Sequence, residues 1–282
     1  MPTGTGYNPT QAAGWISKVY SPRFDRLCYE RSKLRQRVDE GEALHGQLVI
    51  PKHDNLTVVT RADGTDIYDA VVTSNTEGTI TVSPTYYDCN VAVDDRTIAR
   101  AVADPTAVIQ EGAVLALSQQ ADINVATQFV SLTSNPLGSF AADLDLPTIL
   151  AGRAAVLKGA KEYATIGELM FAYHTDQDDA VMGIGPLTQW SARGDANNAA
   201  KTGVLGEAFG IQFIFTTVVR NSGGGYNNCM FIKQGFVISY NIRPSTKLRE
   251  AVGNSKVILS QMDMGVNIKR DSYSALLKSK PS

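Results

Sequence analysis

The sequence predicts an α+β chain with a projecting β-ribbon, and three observations carry that prediction. Segments of β-type sequence run from Gly46 to Val93, separated by turn signals. An Asp104-Pro105 pair opens the strongest helix pattern. Beyond it, helices and strands follow without regular alternation, which argues for α+β rather than a βαβ fold.

The elements follow in order. The first 17 residues carry no charge and are rich in Gly, Pro and Thr, a composition that needs a partner to order it. Pro22 to Arg37 reads as a helix, with Leu27, Leu34 and Val38 toward one face. The ribbon comprises Gln47 to Ile50, Leu56 to Val59, Ala70 to Val72, Thr79 to Val82 and Tyr86 to Val93. Its last two runs alternate apolar with polar, so each has one face that requires cover. A lone ribbon is marginal in water and leaves open edges. The flanking segments read as helices, so a neighbouring copy of the chain is the natural cover.

Asp104-Pro105 supplies a capping side chain and a first-turn proline, and the helix is expected to reach Phe129. Val108, Ile109, Leu115, Ile123 and Ala126 fall near one face, widened by Val114, Leu117, Ala121 and Val125. Ser131 to Asp145 reads as a linker. Pro147 starts another helix, with Ile149, Leu150, Leu157 and Ala160 inward. Glu168 to His174 reads as a strand, Asp176 to Met182 as a short helix and Ser191 to Thr202 as a loop. Gly203 to Gly210 turns into a strand, Ile211 to Val219. Asn221 to Gly225 is a loop tip. Met230 to Tyr240 and Met264 to Lys269 are further strands.

Charge is blocked along the chain. Lys18 to Arg37 holds seven basic residues and two acidic ones. Ala62 to Asp95 holds seven acidic residues and no Lys or Arg. Such blocks are complementary surfaces, within one subunit or between subunits, or else solvated faces. The net charge of −2 gives no global pull toward nucleic acid or membrane. No apolar run approaches a membrane span, and the N-terminus lacks a secretory pattern. The three cysteines are odd in number and far apart, as expected of reduced thiols in a protein made in the cytoplasm.

Motifs for chemistry are missing from the sequence. His45, His53 and His174 stand alone, with no zinc-type spacing. Gly183-Ile184-Gly185 lacks a third dinucleotide-binding glycine. Gly203 to Gly210 lacks the Lys of a phosphate loop and reads as a tight turn. Asp176, Asp178 and Asp179 lack the remaining spacing of a cation loop. No catalytic, metal or cofactor residue is assigned. The basic arm can touch nucleic acid phosphates, but only non-specifically.

In their order, these segments resemble the major capsid proteins of tailed bacteriophages, with the Hong Kong 97-type fold. Trp15 to Tyr20 with the basic helix resembles the N-terminal arm, and the ribbon resembles the extended loop. Val93-Asp94-Asp95-Arg96 leading to Asp104-Pro105 resembles the approach to the spine helix. Gly203 to Phe213 resembles the glycine turn and strand of the axial domain. Met264 to Arg270 resembles the closing peripheral strand.

The resemblance implies an arm over 1–45, an extended loop over 46–93 and the first part of a peripheral domain, with its spine helix, over 94–135. It implies an axial domain over 136–235 and a return through both domains over 236–282. It further implies hexamers and pentamers forming a virion capsid around double-stranded DNA, with each extended loop lying over a neighbouring subunit. The arm begins near Met1, so a separate scaffolding protein is expected, beside a portal and no membrane. Some family members cross-link through a lysine and an asparagine. Lys52 lies in the ribbon, but no partner is identified.

Assembly contacts are expected from Asp63, Asp66, Asp69, Glu77, Ile80 and Val82 of the ribbon. The opposing or lumen-facing cations are expected to be Arg23, Arg26, Arg31, Lys33, Arg35 and Arg37 of the arm. Two rivals remain. One is a cellular nanocompartment shell of the same fold enclosing protein cargo. The other is a small enzyme holding a phosphate ligand at Gly203 to Gly210 or Gly223 to Gly225.

Overall fold

The computed structural model describes residues 23–42, 47–52, 78–94, 105–161, 168–188, 206–219, 221–222, 224–251 and 255–281. These form two main sheets, each covered by one helix, and a separate pair of strands.

The first sheet has four strands. Its centre is a long antiparallel hairpin, β11 (Phe236–Ala251) and β12 (Ser255–Ile268), with register shifts between Tyr240 and Ser245. β1 (Asp39–Glu42) lies parallel to β11 on one side. β4 (Thr85–Asp94) lies antiparallel to β12 on the other, from Thr85 opposite Met264 to Asp94 opposite Ser255. The alternation in Tyr86 to Val93 is therefore satisfied inside the chain. Tyr87 and Cys89 turn toward the core under helix α2 (Pro105–Phe129), and no neighbour is needed to cover this segment. The ribbon expected over 46–93 thus divides, and its last strand belongs to this sheet.

Helix α2 starts and stops where the sequence predicts, but its inward face differs. Val114, Leu117, Ala121, Val125 and Phe129 are buried, whereas Val108 and Leu115 are exposed. The buried stripe follows the helical period but includes Ser118 and Asp122. Those two polar residues weaken its apolar signature and favour the wrong stripe in a sequence reading. Phe129 closes the core against Phe236 at 5.5 Å and Phe231 at 5.8 Å between ring centroids.

The second sheet runs β5 (Pro136–Gly138), β13 (Ser274–Ser279), β10 (Gly225–Phe231), β6 (Leu169–His174), β8 (Ile211–Thr216), β7 (Glu207–Ala208), with β9 (Asn221–Ser222) paired to β10. Helix α3 (Leu146–Ala160) covers it, burying Ile149, Gly152, Val156 and Ala160, while Leu150 faces outward. Asp145 caps α3 by accepting from the Thr148 N–H at 2.9 Å. Short helices α4 (Asp178–Met182) and α5 (Gly185–Thr188) follow β6. The turn between β7 and β8 is Phe209-Gly210, both with positive φ, as a two-residue hairpin of type I′ requires.

The stretch Met230 to Tyr240 is not one strand. A single 3-10 turn, Lys233–Gly235, breaks it because β10 and β11 belong to different sheets. Strand β8 likewise ends at Thr216 rather than Val219. The two sheets are tied at Asp271, whose carboxylate accepts from the hydroxyls of Thr133 at 2.8 Å and Ser134 at 2.7 Å. The remaining strands, β2 (Leu48–Lys52) and β3 (Gly78–Val82), pair antiparallel from Leu48 opposite Val82 to Lys52 opposite Gly78.

Candidate assembly surfaces

The arm is held by two buried polar anchors. Helix α1 (residues 23–31) is shorter than the sequence predicts, and the chain turns at Ser32 into a 3-10 turn, Arg35–Arg37. The cause is Asp122 on α2. Its carboxylate accepts from the N–H groups of Lys33 at 2.8 Å, Leu34 at 2.9 Å and Arg35 at 3.1 Å, and from the Ser32 hydroxyl. Backbone donors left free at a helix boundary need an acceptor, and here a side chain from a distant element supplies it. Phe24 and Cys28 are consequently the buried residues of α1, and Leu27 is only partly covered. Burial pushes the Cys28 thiol up to about 12, against the pull of Arg35.

Arg35 is the second anchor. Its side chain is 1% exposed and donates to Asp25 at 2.9 Å and Glu40 at 3.0 Å. The guanidinium lies 4.7 Å from the centroid of the Tyr240 ring. Burial opposes its charge, but Tyr240, Glu40 and Asp25 outweigh that cost and hold its pKa above the ordinary value. Arg243 approaches the same carboxylates at 3.5 and 3.4 Å. The arrangement fastens α1 to β1 and β11.

The expected assembly residues therefore separate into groups. Arg35 is a correction: it is sealed inside its own subunit by burial and two carboxylates. Lys33 donates to the Phe215 carbonyl at 2.8 Å and sits 4.1 Å from that ring's centroid, and Arg37 donates to the Lys33 carbonyl at 3.2 Å. Arg23, Arg26 and Arg31 are exposed, Arg26 within a pair to Glu30 at 2.8 Å. Val82 is a second correction. It is 1% exposed and packs where a Cβ on Gly265 would stand 3.0 Å from its Cγ1. Ile80 is half-buried opposite Ile50. Asp63, Asp66, Asp69 and Glu77 lie outside the described residues.

At the base of the β2–β3 pair, an open cavity of about 700 Å³ joins arm and ribbon. Asp25, Glu40, Arg26 and Lys269 line it beside Leu48 and Ile50. Lys269 is paired with Asp39 at 2.7 Å. Val49, on the face opposite Leu48 and Ile50, is 55% exposed.

The second sheet carries a polar cluster at one end. His174 stacks on Tyr226, with centroids 4.0 Å apart. Tyr226 donates to Asp176, and that bond, with burial, pushes its phenol up to about 12. Asn228 accepts from the His174 N–H at 3.1 Å and donates to the Ser279 hydroxyl at 2.8 Å. These bonds fasten β6, β10 and β13 to one another. Among the described residues, no three His, Cys, Asp or Glu side chains group as metal ligands. None of the helices among them is long and apolar enough to cross a membrane.

Sequence reasoning missed Asp122, Arg243 and the β11–β12 hairpin. Asp122 had one signal: a lone carboxylate among Ala121, Ile123 and Val125. Such a residue is buried only if something satisfies it.

No family model matches the chain, and no curated protein matches it in sequence. Solved structures do. The asymmetric unit of the bacteriophage PhiM1 mature capsid aligns over 99% of this chain and 89% of its own, with TM-score 0.64 and 11% identity. The capsid of a native GTA particle aligns over 89% and 90%, with TM-score 0.67 and 10% identity. A virus-like particle from Pyrococcus furiosus aligns over 93% and 99%, with TM-score 0.58 and 10% identity. At such identities the likeness is one of architecture, and the architecture is the Hong Kong 97-type α+β fold of tailed-phage major capsid proteins.

Proposed function

We propose that the chain is the structural subunit of a phage head, assembling as hexamers and pentamers into an icosahedral shell around double-stranded DNA. The observation that carries this reading is a capsid likeness extending over 99% of the chain. The β2–β3 pair supports it: its inner face rests on the first sheet at Val82, while Val49 stands exposed on its outer face. The role is structural rather than catalytic. Shell stability comes from many weak contacts repeated by symmetry. The acidic segment around Asp63, Asp66 and Asp69 meets exposed cations of a neighbour's arm. A separate scaffolding protein and a portal complete the assembly, and DNA is touched only non-specifically.

Negative-stain electron microscopy of the purified chain, alone and co-expressed with a scaffolding protein, tests the reading. Closed shells, or rings and sheets of hexamers, are expected. A uniformly small, compact species under all conditions overturns it. The likeness to a virus-like particle favours one second reading, a shell around protein cargo. The contents of purified particles, DNA or protein, separate the two.

A further inference from the structure

The polar cluster at the end of the second sheet holds one imidazole between two roles. The His174 ring accepts from the Asp176 N–H through Nδ1 at 3.2 Å, and in that role it caps the 3-10 turn Thr175–Gln177. The same Nδ1 stands 3.4 Å from the Asp176 carboxylate. The ring lies flat on Tyr226, with centroids 4.0 Å apart and planes 7° from parallel. Tyr226 donates its O–H to that same carboxylate. An accepting Nδ1 requires the ring proton to sit on Nε2. Once both nitrogens carry protons the ring can only donate, and its contact with the Asp176 N–H becomes donor against donor.

The groups around the ring favour an exchange of partners. From β10 it meets Tyr226 and the neutral Asn228, which accepts from the His174 N–H. From β8 it meets Thr216, its register partner. Asp178 accepts from Tyr173 at 2.7 Å, and Tyr173, one residue before His174, points from the other face of β6. Lys280, whose carbonyl accepts from Gln177 in the same turn, pairs its ammonium with Asp143 at 3.0 Å. The anion that a protonated ring meets is Asp176, and the Tyr226 face favours a cation.

We infer that His174 is a proton-operated latch at this end of the sheet. Neutral, it caps the Thr175–Gln177 turn through the Asp176 N–H; protonated, it releases that N–H and donates to the Asp176 carboxylate. An imidazole changes charge between about pH 5 and pH 8, so acidity selects the state. The exchange draws on the carboxylate that Tyr226 also uses, which couples the end of β6 to the start of β10. The inference concerns the single subunit and is independent of what a shell encloses.

Hydrogen–deuterium exchange of the full-length protein, resolved to single amides at about pH 8 and about pH 5, tests it. Each rate is divided by that of an unstructured peptide at the same pH. The Asp176 amide is expected to be protected at the higher pH and to lose about tenfold of that protection at the lower. The Cys229 amide, in the middle of β10 between β6 and β13, should not change. His174→Asn supplies an acceptor that reaches the N–H two residues on and takes up no proton, so its Asp176 amide should stay protected at both pH values. His174→Phe keeps a ring on Tyr226 without an acceptor, and its Asp176 amide should be poorly protected at both. Circular dichroism and thermal unfolding report whether each variant is folded. Equal Asp176 protection at the two pH values in the parent overturns the inference, whatever the variants do. So does an equal loss at Cys229, which would mean general loosening. A folded His174→Asn protein with the parent's pH response overturns it too, because another group would then carry the response.

Discussion

Asp122 and Leu34 are joined by a 2.9 Å hydrogen bond between a carboxylate on the long helix and a backbone N–H of the arm, 88 residues apart in sequence. The same carboxylate holds the N–H groups on either side, so one side chain sets where the arm helix ends. Asp122→Ala leaves several buried donors without an acceptor, each costing about 1 to 3 kcal/mol. The variant should lose about 3 kcal/mol of unfolding free energy in urea. Asp122→Asn keeps one acceptor oxygen and should lose less. An alanine variant as stable as the parent would show that water replaces the carboxylate there.

Arg35 is the converse case, a buried cation held by carboxylates on two elements. Arg35→Met should cost about 3 kcal/mol, since it takes the buried cation from between Asp25 and Glu40 and leaves them the longer contacts with Arg243. Arg35→Lys keeps the charge but loses the fork and the stacking on Tyr240, and should fall between the two. Thermal unfolding of the three proteins orders them. A lysine variant equal to the parent would mean that charge alone suffices.

Two glycines in helices should respond with opposite sign. A Cβ on Gly159 would stand 1.9 Å from the Ser272 carbonyl oxygen, so Gly159→Ala must push α3 from the turn before β13. A loss of about 2 kcal/mol is expected. Gly112, in the exposed part of α2, has nothing within 4 Å of the same position. Gly112→Ala should stabilise the protein by up to about 1 kcal/mol through helix propensity. Denaturant midpoints measured side by side test both signs.

The Asp145 cap gives a pH dependence. Its hydrogen bonds with Thr148 hold the carboxyl below the ordinary value of 3.8. A depressed folded-state pKa contributes stability above the unfolded value and loses it as pH falls through the folded one. Asp145→Ala should therefore cost about 1 kcal/mol at neutral pH, and the gap from the parent should close in strong acid. A gap independent of pH would point to packing rather than to the cap.

Local chemistry was legible in the sequence wherever it acts locally. Pro105 and Phe129 bracket α2, Pro147 opens α3, and Gly210 shapes the turn into β8. The long-range pairings were not. Tyr86 to Val93 has the same alternation whether its cover is a second copy or β12, because alternation records only that one face is buried. Charge blocks have the same limit. Arg35 and Arg31 look alike in sequence, yet one is sealed by Asp25 and Glu40 and the other is exposed. Composition marks a basic arm, but only the fold separates its internal anchors from its outward cations.

That separation sharpens the electrostatic test of assembly. Asp63, Asp66 and Asp69 should be replaced together by lysine, which is expected to impair shell formation while leaving the subunit folded. On the proposed pairing of this segment with a neighbour's arm, like charges then face each other at every copy, and symmetry multiplies a small cost. The compensating change must use Arg23, Arg26 and Arg31, which are exposed, and must spare Arg35, whose loss would damage the subunit itself. Glutamates at those three arginines, added to the lysine triple, should restore shells seen by electron microscopy. Normal shells from the lysine triple alone would remove electrostatics from the contact and leave burial of apolar residues such as Val49 and Ile80 as its basis.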